Sequence, residues 1–205
     1  NYLSSNERDV VAVNYKEGVN KNKRSDLFWL NNSGIEPSSV LVYIESRKRL
    51  SYHDYPDKEI NRMKKYGVNW TRLWNWYSSS KVDFIDLLRE KINNMKLSDP
   101  IEKWLFRSAH SLIKDVEYWF LFFDEFNVRI HLDPTIGSSE SITKQIALTK
   151  LGGCSIGRIR SYIKKFKGSV FAGYTNNSFF AMGEHSLAEL KNTENKIDNI
   201  LISGN

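Results

Sequence analysis

Three acidic side chains stand where they could do chemistry. Asp133, Glu184 and Glu17 each follow an apolar, strand-like run at a short distance. An ionised carboxylate in such a position can act as a general base, or as a nucleophile in a double-displacement transfer. The competing interpretations are a turn cap beside Pro134 for Asp133 and a first-turn acid that complements a helix dipole for Glu184. Both interpretations remain open for these side chains.

A second set of candidates could bind a ligand. The Gly-rich run from Gly152 to Ser161 predicts a turn, in which small residues permit close approach of a ligand and paired arginines can bind phosphate or carboxylate. His185 beside Glu184 could assist a general base, and Ser186 could equally be a helix cap. The alternative for the turn is a tight loop with two solvent-facing arginines. The candidate ligand-binding residues are Gly153, Ser155, Gly157, Arg158, Arg160, Ser161, His185 and Ser186.

Several common sites are excluded by the motifs that the chain lacks. It contains neither G-x-x-x-x-G-K-[ST] nor G-x-G-x-x-G, so neither a P-loop nor a dinucleotide site is supported. His53, His110 and His131 lack metal-ligand spacing with one another and with Cys154. The sequence therefore predicts no metal site.

Strands and helices alternate in the first part of the chain. Asp9–Val13 and Val40–Ile44 are apolar runs typical of buried strands, and Val68–Leu73 alternates like a strand. Asp57–Tyr66 has helical periodicity, and Gly67 is placed to end that helix. This order predicts an α/β fold, a Rossmann-like and mostly parallel sheet flanked by helices.

The middle of the chain, residues 81–126, is predicted to be a helical insertion. Asp99, Pro100 and Glu102 form a capping-box signal for a long helix. Its apolar stripe, which includes Trp104, is predicted to pack against the sheet, with an apolar ligand groove as the alternative. A helix is also predicted from Ser141 to Leu151 with Ile142, Ile146 and Leu151 inward.

Composition limits the function classes. The formal charge of +6 and the pI near 9.2 favour anionic partners. Trp70, Trp74 and Trp76 lie among basic residues and could stack on bases, which keeps a nucleic-acid-binding module open as an alternative. The single Cys154 favours a reduced cytoplasmic location, and no apolar run reaches transmembrane length. Since the chain begins without Met and stops just after a strand-like run, we expect it to be part of a longer protein.

The last third of the chain resembles a known enzyme family. The residues that carry the likeness lie at roughly 125–205: Gln145, Ala147, Leu148, Gly152-Gly153, Ser155-Ile156-Gly157, Arg160-Ser161-Tyr162, Phe179-Phe180-Ala181-Met182-Gly183-Glu184 and Ile200-Leu201-Ile202-Ser203-Gly204-Asn205. Together they are similar to the acceptor-side, Rossmann-like domain of GT-B glycosyltransferases for bacterial surface polysaccharide. The resemblance implies that residues 1–205 are a single α/β domain, one half of a two-domain enzyme.

That resemblance also implies an activity and its partners. The expected reaction is transfer of a sugar from a nucleotide donor to a glycan or a lipid-linked acceptor, without a cofactor or a catalytic metal. Nucleic acid is not the favoured partner, and peripheral contact with the inner face of the membrane is expected. A non-catalytic scaffold for envelope assembly, with basic loops on the inner leaflet, remains a further alternative.

Overall fold

The computed structural model of the chain describes residues 9–15, 18–19, 26–45, 56–73, 82–95, 98–133, 138–158, 175–191 and 195–202. The strands are β1 (Val10–Asn14), β2 (Val40–Ile44), β3 (Asn69–Arg72), β4 (Val128–Asp133), β5 (Cys154–Arg158), β6 (Ser178–Ala181) and β7 (Asn199–Ile202). The helices are α1 (Pro56–Lys65), α2 (Asp83–Asn93), α3 (Pro100–Glu125), α4 (Ser139–Lys150) and α5 (Gly183–Lys191), with a short 3₁₀ helix at Pro37–Ser39.

The described strands form a seven-stranded sheet in the order β3-β2-β1-β4-β5-β6-β7. Each adjacent pair is parallel. The predicted Rossmann-like α/β fold is thereby confirmed, and the helical stretch predicted at 81–126 is the α2–α3 connection between β3 and β4. Because the direction of strand addition reverses between β1 and β4, these two strands form the topological switch point, where ligands of open α/β sheets bind.

Alternation along β1 and β2 divides the core between two faces of the sheet. Val10, Ala12 and Tyr43 belong to the cluster packed under α3, and we call this side the α3 face. Val11 and Val13 belong to the cluster that includes Met63 of α1, and we call this side the α1 face. Each face buries its own hydrophobic cluster, as expected for a sheet sandwiched between helices.

Helix α3 packs against the sheet with only part of its predicted stripe. The capping box at Asp99 is present, and Ile113, Val116, Trp119, Phe122 and Phe123 are buried. The prediction that the whole stripe packs on the sheet is wrong for its first half, where the apolar side chains are exposed: Ile101, Trp104, Leu105 and Leu112. The reason is length, since 26 residues of helix extend about 39 Å whereas a six-residue strand extends about 20 Å.

Helix α4 turns a different face to the core from the one predicted. Ser138 caps it, accepting the Ser141 N–H at 3.2 Å. The predicted inward residues Ile142 and Ile146 are 37% and 41% exposed, whereas Lys144 is buried. Only Leu151, at the end of the helix, packs against the cluster of the α3 face as predicted. The rotation follows from the buried partners of Lys144, which are described below.

Candidate functional site

Asp133 lies at the carboxyl end of the switch point. Val13 of β1 pairs with Leu132 of β4, so that Asn14 and Asp133, one residue further on, end these adjacent strands. Both side chains are buried. The predicted candidate Asp133 is therefore placed at the edge where open α/β sheets bind ligands.

A cavity of about 280 Å³ opens beside Asp133 on the α1 face. Its floor consists of apolar side chains from the centre of the sheet: Val11, Val13, Ile130, Leu132 and Ile156. Aromatic walls come from Phe28 and Trp29, which lie in the segment after β1, and from Phe180 of β6. The cavity is therefore a largely apolar pocket that spans β1, β4, β5 and β6.

Few charged groups line this cavity. Asp26, Asp133 and Arg158 are the charged residues among those that line it, with Asp133 at the end of β4 and Arg158 at the end of β5. The guanidinium carbon of Arg158 lies 4.6 Å from the centroid of the Phe28 ring, a cation–π distance. An apolar pocket with a small number of polar groups is the usual form of a small-molecule site.

Another cavity lies at the opposite end of the strands, on the side where their amino ends meet. It is lined by Lys64, Gly67, Val68, Asn69 and Trp70, where α1 ends and β3 begins. This is the amino end of the strand, whereas ligands of parallel sheets bind at the carboxyl ends. We therefore place the candidate site at the cavity beside Asp133.

In the described part of the backbone just after β1, the N–H groups of Gly18 and Val19 already have partners. The Gly18 N–H donates to Asp26 Oδ2 at 3.2 Å, and the Val19 N–H donates to Glu59 Oε2 at 2.7 Å. Phosphate-binding loops use such N–H groups for the ligand, but here two carboxylates already accept them. Burial, followed by the negative charges of Glu59 and Asp26, raises the pKa of Tyr15 to about 12.

A polar network fills the α3 face at the same edge. Lys144 Nζ lies 2.7 Å from Glu45 Oε1 and 2.5 Å from Glu140 Oε1, and Asn14 Nδ2 also donates to Glu45. The ammonium lies 4.3 Å from the centroid of the Trp119 ring. With only 2% of its side chain exposed, Lys144 is enclosed by partners and has a structural role.

Two further side chains on this face, Tyr43 and His131, contact each other. Tyr43 Oη and His131 Nε2 are 2.7 Å apart, and both side chains are buried. Burial is the main cause that raises the pKa of Tyr43 well above its usual range, and the negative charges of Glu45 and Asp133 act in the same direction. The hydroxyl therefore stays protonated over the physiological pH range.

The predicted turn at Gly152–Ser161 is wrong, because Cys154–Arg158 forms strand β5. Two of its glycines serve packing: a Cβ on Gly157 would lie 2.5 Å from Asn176 Oδ1, and one on Gly153 would lie 2.7 Å from the Arg129 carbonyl oxygen. Ser155 is buried, and its N–H donates to Asn177 Oδ1 at 2.9 Å. Gly153 precedes β5 and so lies at the amino edge, away from the candidate site.

The candidates after β6 lie in the first turn of α5. This helix begins at Gly183 rather than at Ser186, and Glu184 and His185 are exposed. Ser186 is not a cap, because its hydroxyl donates to the Met182 carbonyl oxygen at 3.1 Å from within the helix. The turn follows β6, which β5 separates from β4, and neither Glu184 nor His185 lines the described cavity.

The structure thus brings together Asp133, Gly157 and Arg158 at one cavity. Glu17, Arg160 and Ser161 lie outside the described residues. Sequence reasoning missed Asp26 and the aromatic walls, for which no local pattern gives a signal. The Glu140–Lys144 spacing of four residues was a signal for an ion pair, but such pairs usually lie on a helix surface.

Three further observations bear on the alternatives. Trp70 is half-buried and packs against the cluster of the α1 face, which leaves it poorly placed to stack on a base, while Trp74 and Trp76 lie outside the described residues. Within the described ranges, no three His, Cys, Asp or Glu side chains are grouped so that they could hold a metal ion. None of the helices described is both long and apolar enough to cross a membrane.

Comparisons with known proteins do not add a family. No protein-family model matches the chain, and a search of curated proteins found no match. A functional assignment must therefore come from the switch point, its cavity and the residues that line it.

Proposed function

We propose that this chain is the acceptor-side domain of a GT-B-type glycosyltransferase, which transfers a sugar from a nucleotide donor to a glycan or lipid-linked acceptor in cell-surface polysaccharide synthesis. The observation that carries the proposal is the placement of buried Asp133 at the switch point, next to the cavity of about 280 Å³. The resemblance of residues 125–205 to that enzyme family supports it independently.

The charges of the cavity favour an acceptor over a nucleotide. Two acidic residues, Asp26 and Asp133, and one basic residue, Arg158, line it, and this net negative charge disfavours the phosphates of a nucleotide sugar. A carboxylate instead accepts hydrogen bonds from hydroxyl groups, and it can accept several at once. The cavity therefore suits the hydroxyl-bearing acceptor, and the donor would bind to another part of the enzyme.

In this mechanism Asp133 is the general base. Its carboxylate takes the proton of the acceptor hydroxyl as the oxygen attacks C1 of the donor sugar. The bond between C1 and the phosphate oxygen breaks, and the nucleotide leaves with the bonding electron pair. Orientation of the two substrates would supply much of the rate enhancement, and no metal ion or cofactor takes part in the proposed reaction.

The test is nucleotide release by the full-length protein with a panel of UDP-, GDP-, CMP- and TDP-sugars, with and without a lipid extract from the host. Asp133→Asn should lower donor-dependent release by about 10²- to 10⁴-fold, because it removes the base while preserving shape. Asp124→Asn, an exposed carboxylate at the other end of the sheet, is the matched control and should retain activity. Absence of release with every donor would reject the proposal.

A further inference from the structure

The cavity beside Asp133 has the wrong chemistry for a ligand that is polar on all sides. Its floor is aliphatic, from Ile130, Leu132 and Ile156, and these side chains offer no hydrogen-bonding groups. A sugar ring fully seated there would lose the water around its hydroxyls without replacement, at a cost of about 1–3 kcal/mol for each unpaired group. The floor of the cavity therefore disfavours a bare glycan.

The polar groups stand around the cavity rather than on its floor. Asp133 ends β4, Asp26 lies in the segment after β1, and Arg158 ends β5 with its guanidinium over the Phe28 ring. A ligand that fits this arrangement has an apolar body for the floor and a hydroxyl for the polar residues around it. With about 280 Å³, the cavity is close to the lower end of the range of small-molecule pockets, about 300–1,000 Å³. A cavity of this volume has room for one ring or a short branched chain.

We infer that the ligand of this cavity is amphipathic: an acceptor whose sugar or hydroxyl is attached to an apolar group, which lies between Phe180 and the aliphatic floor. The inference deepens the proposed function and rests on it for the role of acceptor, but the binding itself does not depend on catalysis. It selects the apolar-linked acceptor from the two classes that the proposal allows. The apolar group can be an aromatic ring or an isoprenoid, since both present the same chemistry to these walls.

The experiment compares three glucosides that share one sugar and differ in the group attached to it. Binding of methyl, phenyl and geranyl β-glucoside to the 205-residue chain is measured by isothermal titration calorimetry, with the methyl resonances of Ile130, Leu132 and Ile156 as reporters of location. Burial of a phenyl or geranyl group should tighten binding at least about tenfold over the methyl glucoside. Tighter binding of the phenyl glucoside would indicate an aromatic ligand, and tighter binding of the geranyl glucoside would indicate an isoprenoid ligand.

Phe180→Ser tests the location of the apolar group. Phe180 lines the cavity and is 37% exposed, so its truncation should leave the fold intact. Leu201→Ser is the matched control, because Leu201 pairs with Phe180 on the same face, is 49% exposed and does not line the cavity. The advantage of the apolar glucosides should fall about threefold or more in Phe180→Ser and remain in Leu201→Ser.

Three outcomes would overturn the inference: equal binding of the three glucosides, absence of binding by the phenyl and geranyl glucosides, or binding that Phe180→Ser leaves unchanged. Failure of the proposed function has a different signature. If the apolar glucosides bind as expected but no nucleotide sugar is consumed, the amphipathic site stands and the transferase assignment falls.

Discussion

The two faces of the sheet differ at its carboxyl edge in both polarity and access. On the α3 face the polar side chains of Lys144, Glu45 and Asn14 contact one another and are largely buried, Glu45 being 14% exposed. On the α1 face Ile156 and Phe180 line an open cavity and remain partly exposed. The face with more charge is thus the closed one, and the face with less is open to a ligand.

This difference shows that buried polarity alone does not mark a functional site. A buried lysine with two carboxylates would attract attention as a catalytic group, because perturbed ionisable residues cluster at active sites. Here its partners satisfy it and only 2% of its side chain is exposed, which is the pattern of a structural network. Asp133 differs because it is buried and also lines a cavity that a ligand can enter.

The largest expected effect on stability comes from breaking the network on the α3 face. Lys144→Met should lower the free energy of unfolding by about 3–5 kcal/mol, because it leaves the Glu45 carboxylate buried without its cation. Urea denaturation measures the loss. Lys150→Met, an exposed lysine on the same helix, should change stability by less than about 0.5 kcal/mol. Adding Glu45→Gln to Lys144→Met should recover part of the loss, and a further loss in the double variant would contradict a structural pair.

A matched pair of isoleucines compares closed with open packing directly. Ile113 is 7% exposed in the core of the α3 face, whereas Ile156 is half-buried beside the cavity. Ile113→Ala should cost about 2–4 kcal/mol, since it creates a new void, and Ile156→Ala should cost about 1 kcal/mol, since it enlarges an existing opening. Equal losses in urea denaturation would mean that the α1 face is as tightly packed as the α3 face.

Features with local signals were predictable from the sequence. The capping box at Asp99, the end of α1 at Gly67 and the run Val40–Ile44 were all recognised, because each depends on residues within one or two turns or one strand. The position of Asp133 followed in the same way from the apolar run before it. The α/β class could then be predicted from the order of these elements.

Features that depend on distant partners were not predictable. Lys144 turns inward because Glu45, 99 positions away, accepts its hydrogen bond, and this contact reversed the predicted orientation of α4. Gly157 is required by Asn176 and Phe179, which reach it only after the sheet has formed, so its type suggested a turn instead of a strand. The cavity draws on several separate segments, and no single stretch of sequence could reveal it.

The smallest expected effect is a change in how the free energy of unfolding depends on pH. It concerns Glu140, at the outer edge of the network. Burial, together with a hydrogen bond to Glu45, raises the pKa of Glu140 above its usual value of 4.5, while Lys144 opposes this shift. Because the folded state then holds a proton that the unfolded chain has released, this group stabilises the fold below pH 4.5, and its contribution is lost as pH rises through the raised pKa.

Glu140→Gln isolates this contribution, because glutamine keeps the shape and remains neutral at every pH. Relative to the unmodified chain, the variant should gain stability as pH rises from 4.5 towards neutrality, when urea denaturation is repeated at each pH. Glu90→Gln, which removes an exposed carboxylate from α2, controls for the loss of one charge. Parallel stability curves for Glu140→Gln and the unmodified chain would show that Lys144 fully compensates the Glu140 carboxylate, whose side chain is 41% exposed. The charge contribution of the α3 face would then come from the Lys144–Glu45 pair and not from Glu140.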